Sequence, residues 1–275
     1  MSGHQRDWAE EAEKQVANAL NGENTNTYIQ RIASAIQTKV NKPYEKAVWV
    51  GSEEYNSKGD VHLYQKDGTV IPIELKFSKE KGSGTKANTT TEIVKDYLSE
   101  KVQSYPEFEE TFRKERYSYL GNIIGSELSK KQYETTLRRF RESKRSVLTE
   151  IENNAKRSAE SYASYIADKM NDNLSGVTSF VIEILKGNNT RKKSKLNEEL
   201  VYCVVKNFNK ENQSVYFYDL NNTESTICSV VATGKTVKLL NQSEETVLRL
   251  SVHWKNICQG GANPCFNIFL GDACG

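Results

Sequence analysis

Asp60, Glu74 and Lys76 stand on two short runs whose alternation would bring all three to one surface. Across Asp60-Val61-His62-Leu63-Tyr64, a period of two sets Val61 and Leu63 against Asp60, His62 and Tyr64. Across residues 70–77 it sets Ile71, Ile73, Leu75 and Phe77 against Pro72, Glu74 and Lys76. Lys66-Asp67-Gly68-Thr69 lies between the runs, and Asp-Gly is a strong turn signal, so the two read as a hairpin. Two carboxylates held close together repel unless a cation sits between them. Hard oxygen ligands select Mg²⁺, with Mn²⁺ as the other candidate. Such an ion leaves positions open to phosphate oxygens, and a lysine beside it can place or activate a water. These parts suit attack of water on a phosphodiester.

The hairpin needs elements around it, and the flanking sequence predicts them. Residues 7–20 read as a helix with Trp8, Ala12, Val16, Ala19 and Leu20 on one stripe, ended by Asn21-Gly22. Residues 28–40 read as a second helix burying Ile29, Ile32, Ala33, Ile36 and Val40, and 47–50 as a short strand. Residues 78–91 hold almost no apolar side chain and read as a loop. A helix follows with Ile93, Val94, Tyr97, Leu98 and Val102 at helical spacing, then a long helical region. In its last helix Leu137, Phe140, Leu148, Ile151, Ala155, Ala159, Tyr162 and Ile166 form one stripe. Seven strands are expected after Asn173, at 177–185, 200–208, 214–220, 226–232, 236–240, 246–254 and 266–270, mostly antiparallel. The fold class is therefore mixed α/β. The expected division is a core at 1–186, with a helical insertion at about 106–172, and a β-rich part at 187–275, continuous with the core and contacting the substrate.

Composition bounds what the protein can be. The 275 residues are 37% hydrophobic and 27% charged, with a mean hydropathy of −0.68. No apolar run approaches membrane-spanning length, and the N-terminus lacks the apolar core of a secretory signal, so a cytoplasmic protein without membrane contact is expected. The five cysteines (Cys203, Cys228, Cys258, Cys265 and Cys274) are odd in number and too widely spaced for a structural zinc site. Buried small apolar roles suit Cys203 and Cys228. The net charge of +2 does not by itself indicate a nucleic-acid partner. Its distribution is more informative: residues 127–157 carry nine Lys or Arg against five Glu.

Gly59-Asp60, then Glu74-Leu75-Lys76 after thirteen intervening residues, resembles the D-x(n)-(D/E)-x-K signature of the PD-(D/E)XK nuclease superfamily. Gly59 stands where that signature nominally has Pro. The resemblance covers about a third of the chain and implies a core of helix, three antiparallel strands, helix and strand. It implies Asp60 and Glu74 as metal ligands and Lys76 as the catalytic lysine. It also implies an acid or amide on the first helix facing the site, and Glu11, Glu13 and Gln15 are all candidates. A chain of this length without a motor motif looks most like a type II restriction endonuclease, which implies double-stranded DNA as substrate and a homodimer.

Candidate DNA contacts are Lys79, Lys81 and Lys86 after the catalytic strand, and Arg138, Arg141 and Arg145 at i, i+3 and i+7 of a helix. Gln259 and Asn263 in a Gly-rich loop are candidates for reading bases. Two alternatives fit the same residues: a nuclease of that superfamily acting on DNA structure, damage or RNA, or a nucleic-acid-binding protein without catalysis.

Overall fold

The computed structural model describes residues 3–51, 59–77, 87–90, 93–99, 101–143, 145–185, 200–218, 226–254 and 264–270. Its elements run α1 (Gly3–Leu20), α2 (Thr27–Val40), β1 (Lys46–Trp49), β2 (Val61–Tyr64), β3 (Val70–Phe77), β4 (Ala87–Thr90), α3 (Ile93–Leu98), α4 (Tyr105–Phe108) and α5 (Glu110–Ile124). They continue with α6 (Lys130–Ser143), α7 (Arg145–Asn171), α8 (Leu174–Leu185), β5 (Val201–Lys206), β6 (Ser214–Tyr218), β7 (Ser229–Thr233), β8 (Thr236–Leu240), β9 (Thr246–Trp254) and β10 (Pro264–Leu270). The fold is mixed α and β. Among the described residues, no helix is long and apolar enough to cross a membrane.

The chain divides into two compact units, and neither follows the expected boundary at 186/187. The first comprises Met1–Lys86, Val181–Ser225 and Asp272–Gly275; the second comprises Ala87–Phe180 and Thr226–Gly271. The helical stretch is thus not an appendage of the first unit. It is built together with the C-terminal strands.

In the first unit, five strands are ordered β1-β2-β3-β5-β6. The pairs β1–β2, β2–β3 and β5–β6 are antiparallel, while β3–β5 is parallel. Ile73 and Leu75 of β3, Val61 and Leu63 of β2, and Cys203 and Val205 of β5 meet Ala12, Val16, Ile29, Ile32 and Ile36 from α1 and α2 in one core. The expected stripes of both helices therefore hold. Asn26 caps α2, its side chain accepting from the N–H groups of Tyr28 and Ile29, and Asn41 ends it in the left-handed region at φ 45°.

Two expectations about local structure fail. Residues 177–185, read as the last core strand, belong to helix α8 instead. An apolar run with Val and Ile fits a buried helix as well as a strand, and Val177, Val181, Ile184 and Leu185 are all buried at helical spacing. The strand parallel to β3 is β5. Within the expected loop at 78–91, Ala87–Thr90 forms β4 on the edge of the second sheet, pairing with β10. Cys203 is buried as expected, whereas Cys228 is exposed.

The second unit has an antiparallel sheet ordered β4-β10-β9-β8-β7, with α7 against it. Each unit shields an edge strand in the same way. The Asn21 amide gives to Ala47 O and takes from Ala47 N, both at 2.8 Å. The Asn171 amide does the same with Val230, at 2.8 and 2.9 Å. An asparagine at a helix end thus satisfies backbone groups that would otherwise form an open edge.

Arg116 of α5 is paired with Glu109, both almost fully buried at 4% exposure. Its second nitrogen donates to Asn154 Oδ1 of α7 at 2.9 Å, and Asn154 Nδ2 donates to Glu115 at 3.1 Å. Removing one member leaves an uncompensated charge in the interior. Arg116→Leu or Glu109→Leu alone should each cost about 3–5 kcal/mol in a urea titration, and the double replacement should recover most of that loss. Single variants as stable as the parent would contradict this.

Candidate active site

Asp60 is placed by backbone on both sides. Its N–H donates to Ile73 O at 2.8 Å, and its carbonyl accepts from Val50 N at 2.9 Å. Gly59 makes this approach possible. It lies at φ +77°, and a Cβ there would stand 2.8 Å from Ile73 O and 3.0 Å from Ile73 N. The residue before Asp60 must therefore lack a side chain for conformational and steric reasons alike.

With Asp60 fixed there, its Oδ2 accepts from Leu75 N at 2.7 Å. Asp60 lies one step beyond the Val61–Ile73 pair, which puts it beside Glu74. Lys76 Nζ is the centre of the cluster. It pairs with Glu74 Oε1, lies 3.5 Å from Asp60 Oδ2 and donates to Leu75 O at 3.1 Å. Three oxygens thus converge on one ammonium. The three side chains are 18–22% exposed, enclosed but open to solvent.

The electrostatics follow from that enclosure. Burial and then the Glu74 charge push the Asp60 carboxyl up to about 7, against the pull of Lys76 and the Leu75 N–H. Burial works to lower the Lys76 pKa, but Glu74 and Asp60 outweigh it and hold the ammonium well above its ordinary range.

The three first-helix candidates are placed differently. Glu11 is exposed and accepts from Gln15 Nε2 at 3.1 Å. Glu13 is half-buried, accepts from the Trp49 indole N–H at 3.0 Å, and lies within electrostatic reach of Asp60, Glu74 and Lys76. Burial is the main reason its carboxyl is raised. Gly51 keeps this corner open, because a Cβ there would sit 3.0 Å from Trp49 Nε1 and 3.2 Å from Glu13 Oε2. Trp49, which sequence reasoning missed, therefore holds Glu13 in place. Tyr202 belongs here too, because it pairs with Glu74 across the β3–β5 ladder. His62 shares the Asp60 face but is buried, so it cannot meet a substrate as a surface residue would.

Of the other expected contacts, Arg138 is exposed on α6, Arg141 lies on α6 and Arg145 on α7. Lys79, Lys81, Lys86, Gln259 and Asn263 lie outside the described residues.

Among the described residues, no group of three or more His, Cys, Asp or Glu side chains is close enough to hold a metal ion. Asp60 and Glu74 still fit the requirement of Mg²⁺, which binds through one or two carboxylates plus water and phosphate oxygens. The oxygen cage already encloses a cation, the ammonium of Lys76.

Two predictions follow from the geometry. Because Asp60 titrates higher folded than unfolded, the stability it gives in its protonated form is complete below its ordinary value of about 4 and lost as pH rises through about 7. In chelator, Asp60→Asn should therefore gain melting temperature on the parent between pH 4 and pH 8; parallel curves would contradict the assignment. Gly59→Ala should lose at least about 1–2 kcal/mol in urea, the cost of left-handed backbone for an L-residue before any collision is counted. An unchanged midpoint would show that Ile73 does not constrain position 59.

No protein-family model, curated protein or solved structure matches this chain.

Proposed function

We propose that the chain is a Mg²⁺-dependent nuclease of the PD-(D/E)XK type that hydrolyses DNA phosphodiester bonds, with Asp60 and Glu74 as metal ligands and Lys76 beside the attacking water. The observation that carries this reading is the convergence of Asp60 Oδ2, Glu74 Oε1 and Leu75 O on the Lys76 ammonium. A solvated hairpin face with an ordinary cross-strand ion pair explains it less well. Such a pair needs neither a glycine pressed against Ile73 nor a third carboxylate brought in by α1. The sheet supports the reading too, with three antiparallel strands followed by a strand parallel to the third.

When bound, Mg²⁺ supplies positive charge against which the phosphate oxygens can gain electron density. The residues of the chain do the rest. Asp60 and Glu74 would hold the ion, and Glu13, steadied by Trp49, would add negative charge nearby. Lys76 remains protonated while the carboxylates surround it, so it acts by donating hydrogen bonds that orient the water and the phosphate. Water attacks phosphorus and gives up a proton to the solvent, the P–O bond opposite breaks, and the leaving oxygen takes up a proton from the solvent. A type II restriction endonuclease, acting as a homodimer on double-stranded DNA, is the form we favour.

Incubation of supercoiled plasmid with the protein and Mg²⁺ or Mn²⁺ tests this. Discrete fragments are expected for a site-specific enzyme, a smear for a non-specific one. Asp60→Asn and Lys76→Ala should each lower the cleavage rate by about 10²-fold or more. Glu13→Gln should lower it and Glu11→Gln should not. Absence of cleavage with either metal, or full activity in the Asp60 and Lys76 variants, would overturn the proposal.

A further inference from the structure

The first sheet ends on β6, Ser214–Tyr218, a strand paired on one side alone. Its five residues pair one to one with β5, from Lys206–Ser214 to Tyr202–Tyr218, without a shift in register. Among the described residues, the backbone of β6 bonds to nothing but β5. Alternate N–H and C=O groups of the strand therefore face outward along the edge. Such an edge is a template for another strand, and chains ordinarily blunt it with a charge, a proline, a bulge or a covering group. Two other edges of this protein are blunted. The Asn21 amide engages both backbone groups of Ala47 on β1, and the Asn171 amide those of Val230 on β7. β6 has no such device among the described residues. Ser-Val-Tyr-Phe-Tyr holds no charge and no proline, and its one-to-one pairing leaves no bulge.

The composition of the strand also sets what fits it. A two-fold axis through the middle of a strand places it antiparallel to its own copy. Centred on Tyr216, the axis sets Ser214 opposite Tyr218, Val215 opposite Phe217, and Tyr216 opposite the same residue of the copy. This register engages all five residues of both strands. A charge at the axis would face its like and weaken the pairing, and the strand carries none. Aromatic and β-branched residues set opposite one another favour it. Tyr216, at the axis, is 48% exposed. Lys206, whose ammonium lies 5.4 Å from the centre of the Tyr216 ring, belongs to β5, on the inner side of the strand.

We propose that β6 is a self-pairing edge, through which two copies of the chain join their first sheets, β6 to β6 and antiparallel. The two-fold axis then stands perpendicular to the joined sheet, so both Asp60–Glu74–Lys76 clusters lie on the same side of it. They are five strand spacings apart, or about 24 Å. The contact gives the proposed homodimer its surface. It is carried by the edge strand alone and does not depend on the nuclease reading.

Sedimentation equilibrium in EDTA, over about 1–100 μM protein, reads the mass without reading cleavage. One strand pair lies at the small end of protein interfaces, so a dissociation constant on the order of micromolar is expected. With concentration the parent should rise from the 31.2 kDa of one chain towards the mass of two. Tyr216→Lys and Tyr216→Glu should each stay at one chain, because like charges then meet across the axis. An equimolar mixture of those two variants should regain the two-chain mass, and Tyr216→Phe should match the parent. Amide hydrogen exchange at residues 214–218 reads the same contact in the unaltered chain, and protection there should rise with protein concentration. A parent that stays at one chain would overturn the proposal, as would a two-chain mass kept in Tyr216→Lys. So would a mixture that stays at one chain, or exchange at 214–218 that does not change with concentration. Self-association by a protein that cleaves nothing would sink the nuclease reading and leave the contact standing. Cleavage that depends on Asp60, by a parent that stays at one chain, would do the reverse.

Discussion

Negative charges held side by side in a half-closed site are the constraint on which the first unit depends. Asp60 and Glu74 would repel if nothing stood between them, and a third carboxylate, Glu13, is close enough to add to the strain. The chain answers with the Lys76 ammonium, set among Asp60 Oδ2, Glu74 Oε1 and Leu75 O. The arrangement is stable only while the backbone holds the acids there. Asp60 is fastened to β3 through Ile73 and Leu75 and to the end of β1 through Val50. The bare backbone of Gly59 lets that junction close.

Everything around the cluster serves to keep it in register. The apolar underside of β2 and β3 is buried against α1 and α2, so a slip of one residue would turn Glu74 and Lys76 into the core. Trp8, Phe77 and Phe208 close the end of β3 in an aromatic group, with Phe77 and Phe208 ring centres 4.9 Å apart. This fixes the start of α1 near the strand that carries Lys76. From the same helix, Glu13 reaches the Trp49 indole. Position, charge and packing therefore converge on one corner of the sheet.

How much of this was legible depended on how local each signal was. The hairpin could be read because a two-residue period and an Asp-Gly turn lie within residues 60–77, and the ladder from Val61–Ile73 to Tyr64–Val70 follows them. That Glu13, and not Glu11, lies near the cluster could not be read, since it depends on where α1 docks against Trp49, thirty-six residues away in sequence. Leu174–Leu185 misled because its Val and Ile residues suit a strand, and only tertiary burial on a helical spacing decides otherwise. β4 was hidden by its composition: Ala-Asn-Thr-Thr gains strand form from β10, more than 170 residues later. The union of α7 with the C-terminal strands is likewise long-range, and no composition shift marks it. Tyr202 comes beside Glu74 only through the parallel β3–β5 pair, which depends on a long crossover.

The central claim is that the oxygen cage around Lys76 is built for a divalent cation. A crystal of the protein soaked in Mn²⁺ and measured at the manganese absorption edge tests it most directly. The account predicts an anomalous peak between the Asp60 and Glu74 carboxylates, with the Lys76 ammonium displaced from its present position. A well-ordered cluster without such a peak, or with manganese bound only elsewhere, would contradict it.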